Sequence, residues 1–143
     1  MDNEKLLAMN AAMAEEFRAN GGKIARFTDR EILLLTTTGA KSGKPRLSPL
    51  AYVTDGSPDR LVIFASRMGA QHHPAWYHNL VANPEVTVEV GTETFTARAS
   101  TATGAEHDRL YELFTSQLSG TDDHQSRTSR VIPMVVLERI VPS

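Results

Sequence analysis

The chain has 143 residues, of which 41% are hydrophobic and 22% charged, and its formal net charge is -2. This length and composition fit one globular domain over residues 1–143 with a core of its own, and the slightly negative charge argues against a nucleic-acid-binding protein, which usually carries a basic face. The absence of cysteine excludes disulfides, thiolate catalysis and cysteine-bound metal clusters.

An N-terminal helix is predicted over residues 3–20, within an N-terminal segment of 1–22. Apolar side chains recur there at steps of three and four residues, at Leu6, Met9, Met13 and Phe17. The segment is too acidic for a signal peptide, and no run of the chain reaches the ~18 apolar residues of a membrane helix. A cytoplasmic location is therefore expected. Peripheral membrane contact stays open, although the helix has fewer Lys and Arg than a basic membrane-surface helix needs.

Six strands are predicted after this helix, together with two more helices. A helix over 74–82 would start with Pro74 in its first position, and one over about 104–118 would start with a capping box of Thr103 and Glu106. The strand-like runs are Ile32–Thr38, Arg46–Thr54, Leu61–Ser66, Glu85–Val90, Thr92–Thr101 and Val131–Arg139.

The connections between the predicted strands indicate how the strands pair. The stretches 54–61 and 90–93 are of hairpin length, which favours antiparallel neighbours. Leu33–Leu35 and Leu61–Phe64 are continuous apolar runs, as in strands buried on both faces. The sequence therefore predicts an α+β fold of mostly antiparallel strands, closed into a small barrel with three helices packed outside.

The stretch between the first two strands, Thr36–Arg46, combines glycines, hydroxyl side chains and cations. Lys41, Lys44 and Arg46 lie within six residues in a chain whose net charge is negative. The two glycines of the stretch let the backbone turn and expose its N–H groups, and such donor arrays bind phosphate. A solvated hairpin turn has a similar composition, so both interpretations stay open on these residues alone. The spacing matches neither a P-loop nor a dinucleotide fingerprint.

A second segment with anion-binding character follows the run Leu61–Ser66. Arg67 adds a cation within a turn of small residues. The helix predicted from Pro74 directs free N–H groups and the positive end of its dipole outward. The only tryptophan, Trp76, lies in the first turn of that helix, where packing against the barrel is its simpler role.

No set of residues indicates a metal site or an acid–base centre. His73 and His78 are five residues apart, not four apart like a helical zinc pair, and no HExxH motif occurs. No nucleophile elbow is present, and the carboxylates are scattered over helices and turns. A cofactor-binding protein without acid–base groups suits hydride transfer, in which the cofactor carries the chemistry.

Three motifs occur in order over about residues 30–95, and a shorter one, VIPMVVLE, follows near the C-terminus. They are LLLTTTGAKSGKPRLSPL, ASRMGAQHHPAWYHNL and ANPEVTVEVG. With these motifs the chain resembles the deazaflavin-dependent nitroreductase family, whose members are small split-β-barrel reductases that use reduced 8-hydroxy-5-deazaflavin coenzyme, coenzyme F-420. The resemblance implies an enzyme that transfers a hydride from this coenzyme to a small planar acceptor such as a quinone, an enone or a nitro compound.

The resemblance, carried over position by position, also implies the residues that bind the cofactor. The loop would contact the phosphate and acidic tail through Lys41, Ser42 and Arg46, with Ala40 and Lys44 beside them. The next strand would flank the deazaflavin with Leu47, Ser48, Pro49, Leu50 and Ala51. A second wall would consist of Phe64, Ala65, Ser66 and Arg67, and a third segment of Ala75, Trp76, Tyr77, His78 and Asn79.

The sequence departs from this family before the last strand. In nitroimidazole-reducing relatives that segment is tyrosine-rich and lines the acceptor pocket, whereas Gln117–Val131 contains no tyrosine. Nitro-drug reduction is therefore in doubt, and a quinone or another acceptor stays open. The candidates for polarising the acceptor or supplying a proton are Ser66, Tyr77 and His124.

Two other hypotheses remain at this point. A non-catalytic deazaflavin carrier would share the loop but lack an acceptor pocket. An FMN-binding split-barrel oxidoreductase ranks third, because FMN is shorter and less acidic and needs fewer cations than the two segments supply. The resemblance further implies that a homodimer can form.

Overall fold

The computed structural model describes residues 3–28, 30–65, 73–118 and 131–140. The predicted helices and strands are found there with ends that differ by a few residues, except that the predicted strand Arg46–Thr54 is divided into two strands. The helices are α1 (Asn3–Ala19), α2 (Ala75–Ala82) and α3 (Gly104–Gln117). The strands are β1 (Ile32–Thr38), β2 (Pro45–Ala51), β3 (Val53–Thr54), β4 (Arg60–Phe64), β5 (Glu85–Val90), β6 (Glu93–Thr101) and β7 (Met134–Arg139). None of these helices is long and apolar enough to cross a membrane.

The strands form one antiparallel sheet in the order β2-β1-β5-β6-β7-β4-β3. Its two edges, β2 and β3, are separated along the chain by Tyr52 alone. The sheet must therefore curl until its edges meet within one continuous segment, which is the closure of a split barrel. The predicted α+β split-barrel fold is confirmed, as are the antiparallel hairpins β3–β4 and β5–β6.

The predicted strand Arg46–Thr54 is wrong as a single strand. Its first part pairs with β1, while Val53 and Thr54 pair with β4 on the opposite edge of the sheet. Tyr52 lies between the two ladders, and its N–H still donates to the carbonyl of Glu31 at 3.2 Å. The break arises because one segment serves both edges of a closed sheet, and an apolar pattern does not record that change of partner.

Three predicted element starts also need correction. The capping box is wrong, because the Thr103 side chain makes no capping hydrogen bond and Glu106 binds two arginines instead. Pro74 is the N-cap of α2, with extended backbone, rather than its first helical residue. The last strand starts at Met134, because Pro133 has no N–H to donate to a ladder.

Strands β1 and β4 are buried on both faces, as their continuous apolar runs predicted. On the inner face, Leu33 and Leu35 of β1 belong to the same cluster as Trp76 and Leu80 of α2. On the outer face, α1 covers β1 with Phe17, and α3 covers β4 and β7. The three helices are thus anchored to the barrel by apolar contacts, which fixes α1 and α2 on either side of the β1–β2 hairpin.

An ion-pair network joins the β3–β4 hairpin to α3 and β7. Asp55 accepts hydrogen bonds from Arg109 Nη2 at 2.8 Å and from Arg60 Nε at 2.9 Å. Arg60 also pairs with Glu106 and Glu138. The hydrogen bonds from Arg109 and Arg60 hold the pKa of the Asp55 carboxyl well below its usual range.

We expect Asp55→Asn to lower the free energy of unfolding by about 1 to 2 kcal/mol at pH 7, because two guanidinium groups lose a charged acceptor that is mostly screened from solvent. The pKa of Asp55 is depressed in the folded state, so its stabilisation is present above the unfolded-state pKa of about 4 and declines as the pH falls toward the folded-state pKa. Urea unfolding at several pH values should therefore show that the difference in free energy of unfolding between the wild type and Asp55→Asn becomes smaller in acid.

Asp59→Asn is the control for this measurement. Asp59 lies in the same hairpin, but its side chain is 58% exposed and 3.9 Å from Arg139, so its removal should change stability little. If Asp55→Asn lowers the free energy of unfolding by the same amount at pH 7 and at about pH 3, the ionic origin of the effect is contradicted.

Candidate functional site

A groove of about 640 Å³ lies between α1, the β1–β2 loop, β2 and α2. It collects ten of the residues that the resemblance implied for the cofactor, which come from two separate stretches of the chain, 40–48 and 75–79. These are Ala40, Lys41, Ser42, Arg46, Leu47, Ser48, Ala75, Trp76, His78 and Asn79.

The β1–β2 loop is a hairpin turn that also presents free donors. The Gly39 N–H donates to the Lys44 carbonyl at 2.8 Å, and the Gly43 N–H donates to the Gly39 carbonyl at 2.9 Å. Gly43 has a φ of 70°, a conformation that glycine adopts without strain. Within the described part of the chain, the N–H groups of Lys41 and Ser42 make no hydrogen bond. The two interpretations of this loop are therefore compatible, since a hairpin turn leaves two adjacent donors for an anion.

The cations of this loop have no carboxylate partner among the described residues. Lys41 and Arg46 line the groove, and no Asp or Glu is among its described lining residues. Several other arginines are paired, as Arg18 is with Glu89 at 2.8 Å. A cluster of unpaired positive charge beside free N–H groups is the electrostatic arrangement of an anion site.

A buried amide ties α2 to the loop. Asn79 Oδ1 accepts the N–H of Ala40 at 3.0 Å, and Asn79 Nδ2 donates to the hydroxyl of Thr37 at 3.2 Å. Asn83, one turn later, donates from Nδ2 to the carbonyl of Thr38 at 3.3 Å. The helix and the loop are therefore held together by polar contacts between specific atoms as well as by packing.

Three lining residues of α1 were not anticipated. Leu6 and Leu7 are 42% and 36% exposed at the groove, and Asn10 Nδ2 donates to the carbonyl of Leu47 at 3.2 Å. The sequence indicated α1 only as a cover over the barrel. Leu6 belongs to the apolar stripe of α1 in the sequence, but only the structure distinguishes it, at the groove, from Phe17, which is 1% exposed.

The other described residues of the implied cofactor set lie outside the groove lining. Leu50 packs against the barrel interior, and the Phe64 ring lies 5.4 Å from that of Phe114 under α3. Ser66, Arg67 and His124 lie outside the described residues. The remaining residues in this group are Lys44 on the exposed loop, Pro49 and Ala51 on β2, Ala65 after β4, and Tyr77 on α2. The roles implied for all of them stay predictions.

The residues around the start of α2 form an aromatic cluster. The ring of His73 lies 4.9 Å from that of Tyr77 and 5.7 Å from that of His78. The Tyr77 hydroxyl is 3.1 Å from the Thr101 hydroxyl. Within the described ranges, no three His, Asp or Glu side chains are grouped closely enough to hold a metal ion. The contacts of His73 and His78 include packing between rings.

Comparison with known proteins gives consistent matches. The family model of the F420H(2)-dependent quinone reductases matches residues 9–139. An F420H(2)-dependent quinone reductase of Mycobacterium tuberculosis is 44% identical over 110 residues, which cover 75% of this chain and 72% of the relative. A solved F420-H2 dependent reductase superposes with a TM-score of 0.68 at 36% identity, covering 75% of this chain and 93% of that one. A domain-swapped dimer superposes with a TM-score of 0.71 at 31% identity, covering 96% and 100%.

We expect Gly39→Ala to disturb the loop. An added Cβ would lie 2.5 Å from Ser42 Oγ, so the hydroxyl would rotate away and lose the hydrogen bond that it accepts from the Lys44 N–H at 3.2 Å. Affinity for coenzyme F-420 should fall about threefold to tenfold, measured by quenching of the single tryptophan, Trp76, which lines the groove.

The double variant Gly39→Ala with Ser42→Ala checks the cause, because it removes the atom that the new methyl group would contact. It should bind no more weakly than the weaker of Gly39→Ala and Ser42→Ala, because the Ser42 hydroxyl, which the resemblance implies as a phosphate contact, is also absent from Ser42→Ala. Wild-type affinity in Gly39→Ala would show that close packing of the loop is not needed for binding.

Proposed function

The chain belongs to the F420H(2)-dependent quinone reductase family and is therefore a reductase that uses coenzyme F-420, and we propose that it binds this coenzyme in the groove of Lys41 and Arg46 and transfers its hydride to a quinone. The observation that supports this proposal most is the unpaired positive charge of the groove, which is combined with free N–H groups and no described carboxylate. We further propose that residues 1–143 act as one coenzyme-binding domain.

The lining of the groove fits the chemical parts of the coenzyme. The free N–H groups of Lys41 and Ser42 suit phosphate oxygens, and the Arg46 guanidinium can donate to two oxygens at once while the Lys41 ammonium acts as a point charge. Apolar surface from Leu47 and Trp76 suits the deazaflavin. The groove thus offers one polar and one apolar region to a ligand that has both.

When bound, reduced coenzyme F-420 supplies a hydride from C5 of its ring, and a quinone that takes up this hydride together with a proton becomes the quinol. The residues of the chain contribute binding and orientation, which place the reacting partners together. The exposed leucines of α1, Leu6 and Leu7, give the groove an apolar wall, which would shield a bound deazaflavin from water. Ser66, Tyr77 and His124 stay candidates for the proton donor.

A quinone is the acceptor that the family name favours, and the names of the relatives agree with it. The lack of tyrosine in Gln117–Val131 supports a preference for quinones over nitro compounds. Enones and nitro compounds remain as alternative acceptors. A cytoplasmic location with peripheral membrane contact, where a lipid quinone would be reached, is part of the proposal.

The other hypotheses lose support. FMN is not the cofactor that the family uses, and a carrier without turnover is not what the family name describes. A homodimer is supported by the similarity to the solved domain-swapped dimer.

We expect the double variant Lys41→Ala with Arg46→Ala to lose at least about a hundredfold in affinity for coenzyme F-420, because two charge-assisted contacts to anionic oxygens are removed. Fluorescence titration under matched ionic strength measures the loss. Arg98→Ala is the control, since Arg98 is an exposed cation on β6 outside the described lining of the groove, and it should bind as the wild type does. An unchanged titration in the double variant would contradict the proposed cofactor site.

We expect reduced coenzyme F-420 to be oxidised faster with the protein than in buffer when a benzoquinone or naphthoquinone is present, and more slowly with a nitroimidazole than with either quinone. The change in deazaflavin absorbance under anaerobic conditions measures both rates. Binding without acceleration by any acceptor would instead support the carrier, and release of FMN from denatured purified protein would support the flavin enzyme.

A further inference from the structure

The amide of Asn79 lies between the parts of the chain that form the anion-binding end of the groove. Asn79 is 8% exposed and Thr37 is 2% exposed, and they are the buried polar residues in the described part of the chain. The amide uses both of its ends, accepting from the Ala40 N–H and donating to the Thr37 hydroxyl. A buried amide with both ends bonded holds its partners in fixed positions, because losing either bond leaves a desolvated polar group.

The two partners of the amide are positioned to control the loop. Ala40 directly precedes Lys41 and Ser42, whose N–H groups make no hydrogen bond within the described part of the chain. The bond to Ala40 therefore fixes the orientation of the peptide that precedes these two donors. Thr37 is the last buried residue of β1, and its hydroxyl lies 3.5 Å from the carbonyl oxygen of Arg46. One side chain of α2 therefore connects the loop to both strands of the hairpin.

We propose that Asn79 is a positioning residue for the phosphate end of the cofactor. It holds the Ala40–Ser42 backbone in the conformation that presents two adjacent N–H groups and keeps the loop beside Arg46. The inference rests on the proposed function, and it differs from the role that the resemblance implied for Asn79, which was contact with the cofactor. Thr37 distinguishes the two roles, because it belongs to the amide network but is not among the described residues that line the groove.

The test compares Asn79→Leu, Thr37→Val and their double variant in binding two ligands. The first ligand is coenzyme F-420, and the second is the deazaflavin riboside, which lacks the phosphate and the acidic tail. Each single variant should lose about tenfold in affinity for coenzyme F-420, the effect of one hydrogen bond to the loop, and change its affinity for the riboside less than about twofold. The double variant should bind no more weakly than Asn79→Leu, because the two residues act as one unit.

Asn83→Ala is the matched control. Asn83 joins the same helix to the same strand through the Thr38 carbonyl, but it bonds to no N–H of the loop and is not a described lining residue of the groove. Its substitution should lower the melting temperature without changing the ratio of the two affinities.

Amide hydrogen exchange in the cofactor-free protein gives a second measurement. Exchange at residues 39–43 should accelerate in Asn79→Leu and Thr37→Val and stay at the wild-type rate in Asn83→Ala.

Loss of coenzyme affinity in Asn79→Leu with wild-type affinity and exchange in Thr37→Val would overturn the proposal in favour of direct contact. If the wild type failed to bind coenzyme F-420, the proposed function would be contradicted. Unchanged exchange at residues 39–43 in Asn79→Leu and Thr37→Val would separately overturn the positioning role of Asn79. If Asn79→Leu failed to fold, Thr37→Val would decide both measurements.

Discussion

Closure of the sheet through the single segment Pro45–Thr54 is the constraint on which the rest of the structure depends. The segment pairs with β1 through its first part and with β4 through its last two residues, so the two edges of the sheet are joined by the chain itself. This closure places the β1–β2 hairpin loop at one end of the segment. The inner face of the sheet then receives Trp76 and Leu80 of α2, and that contact brings the start of α2 next to the loop.

The candidate site follows from this packing and from charge. A cluster of cations without carboxylate partners is unfavourable in isolation, because like charges repel. It is tolerated here because the cations lie on a solvated loop, and in a chain whose net charge is -2 an anionic ligand would relieve the repulsion. The ion pairs of the opposite region, around Asp55, satisfy their charges internally and serve the hairpin rather than a ligand. Among the described residues, the region around Asp55 has internal counter-ions and the cationic loop has none.

Much of the site could be predicted from sequence because most of its residues lie in two short stretches of the chain, 39–48 and 75–79. The loop from Ala40 to Arg46 and the start of α2 were each recognisable from glycine, cation and helix-start signals, and ten implied residues do lie around one groove. The contribution of α1 could not be predicted, since Leu6 and Leu7 come from a distant part of the chain and carry no motif. The amide network of Asn79 was equally hidden, because its partners lie 39 and 42 residues earlier.

The sequence by itself determined the class of fold, the positions of nearly all helices and strands, and the cationic loop, because these depend on local periodicity, turn residues and composition. Only the tertiary structure decided that the predicted strand Arg46–Thr54 changes partner at Tyr52, that Glu106 joins an ion-pair network instead of capping α3, and that α1 forms a wall of the groove. Each of these depends on which distant residues meet when the sheet closes, and a local pattern contains no information about that meeting. The position of the β1–β2 loop is therefore fixed by α2, the helix that folding brings against it.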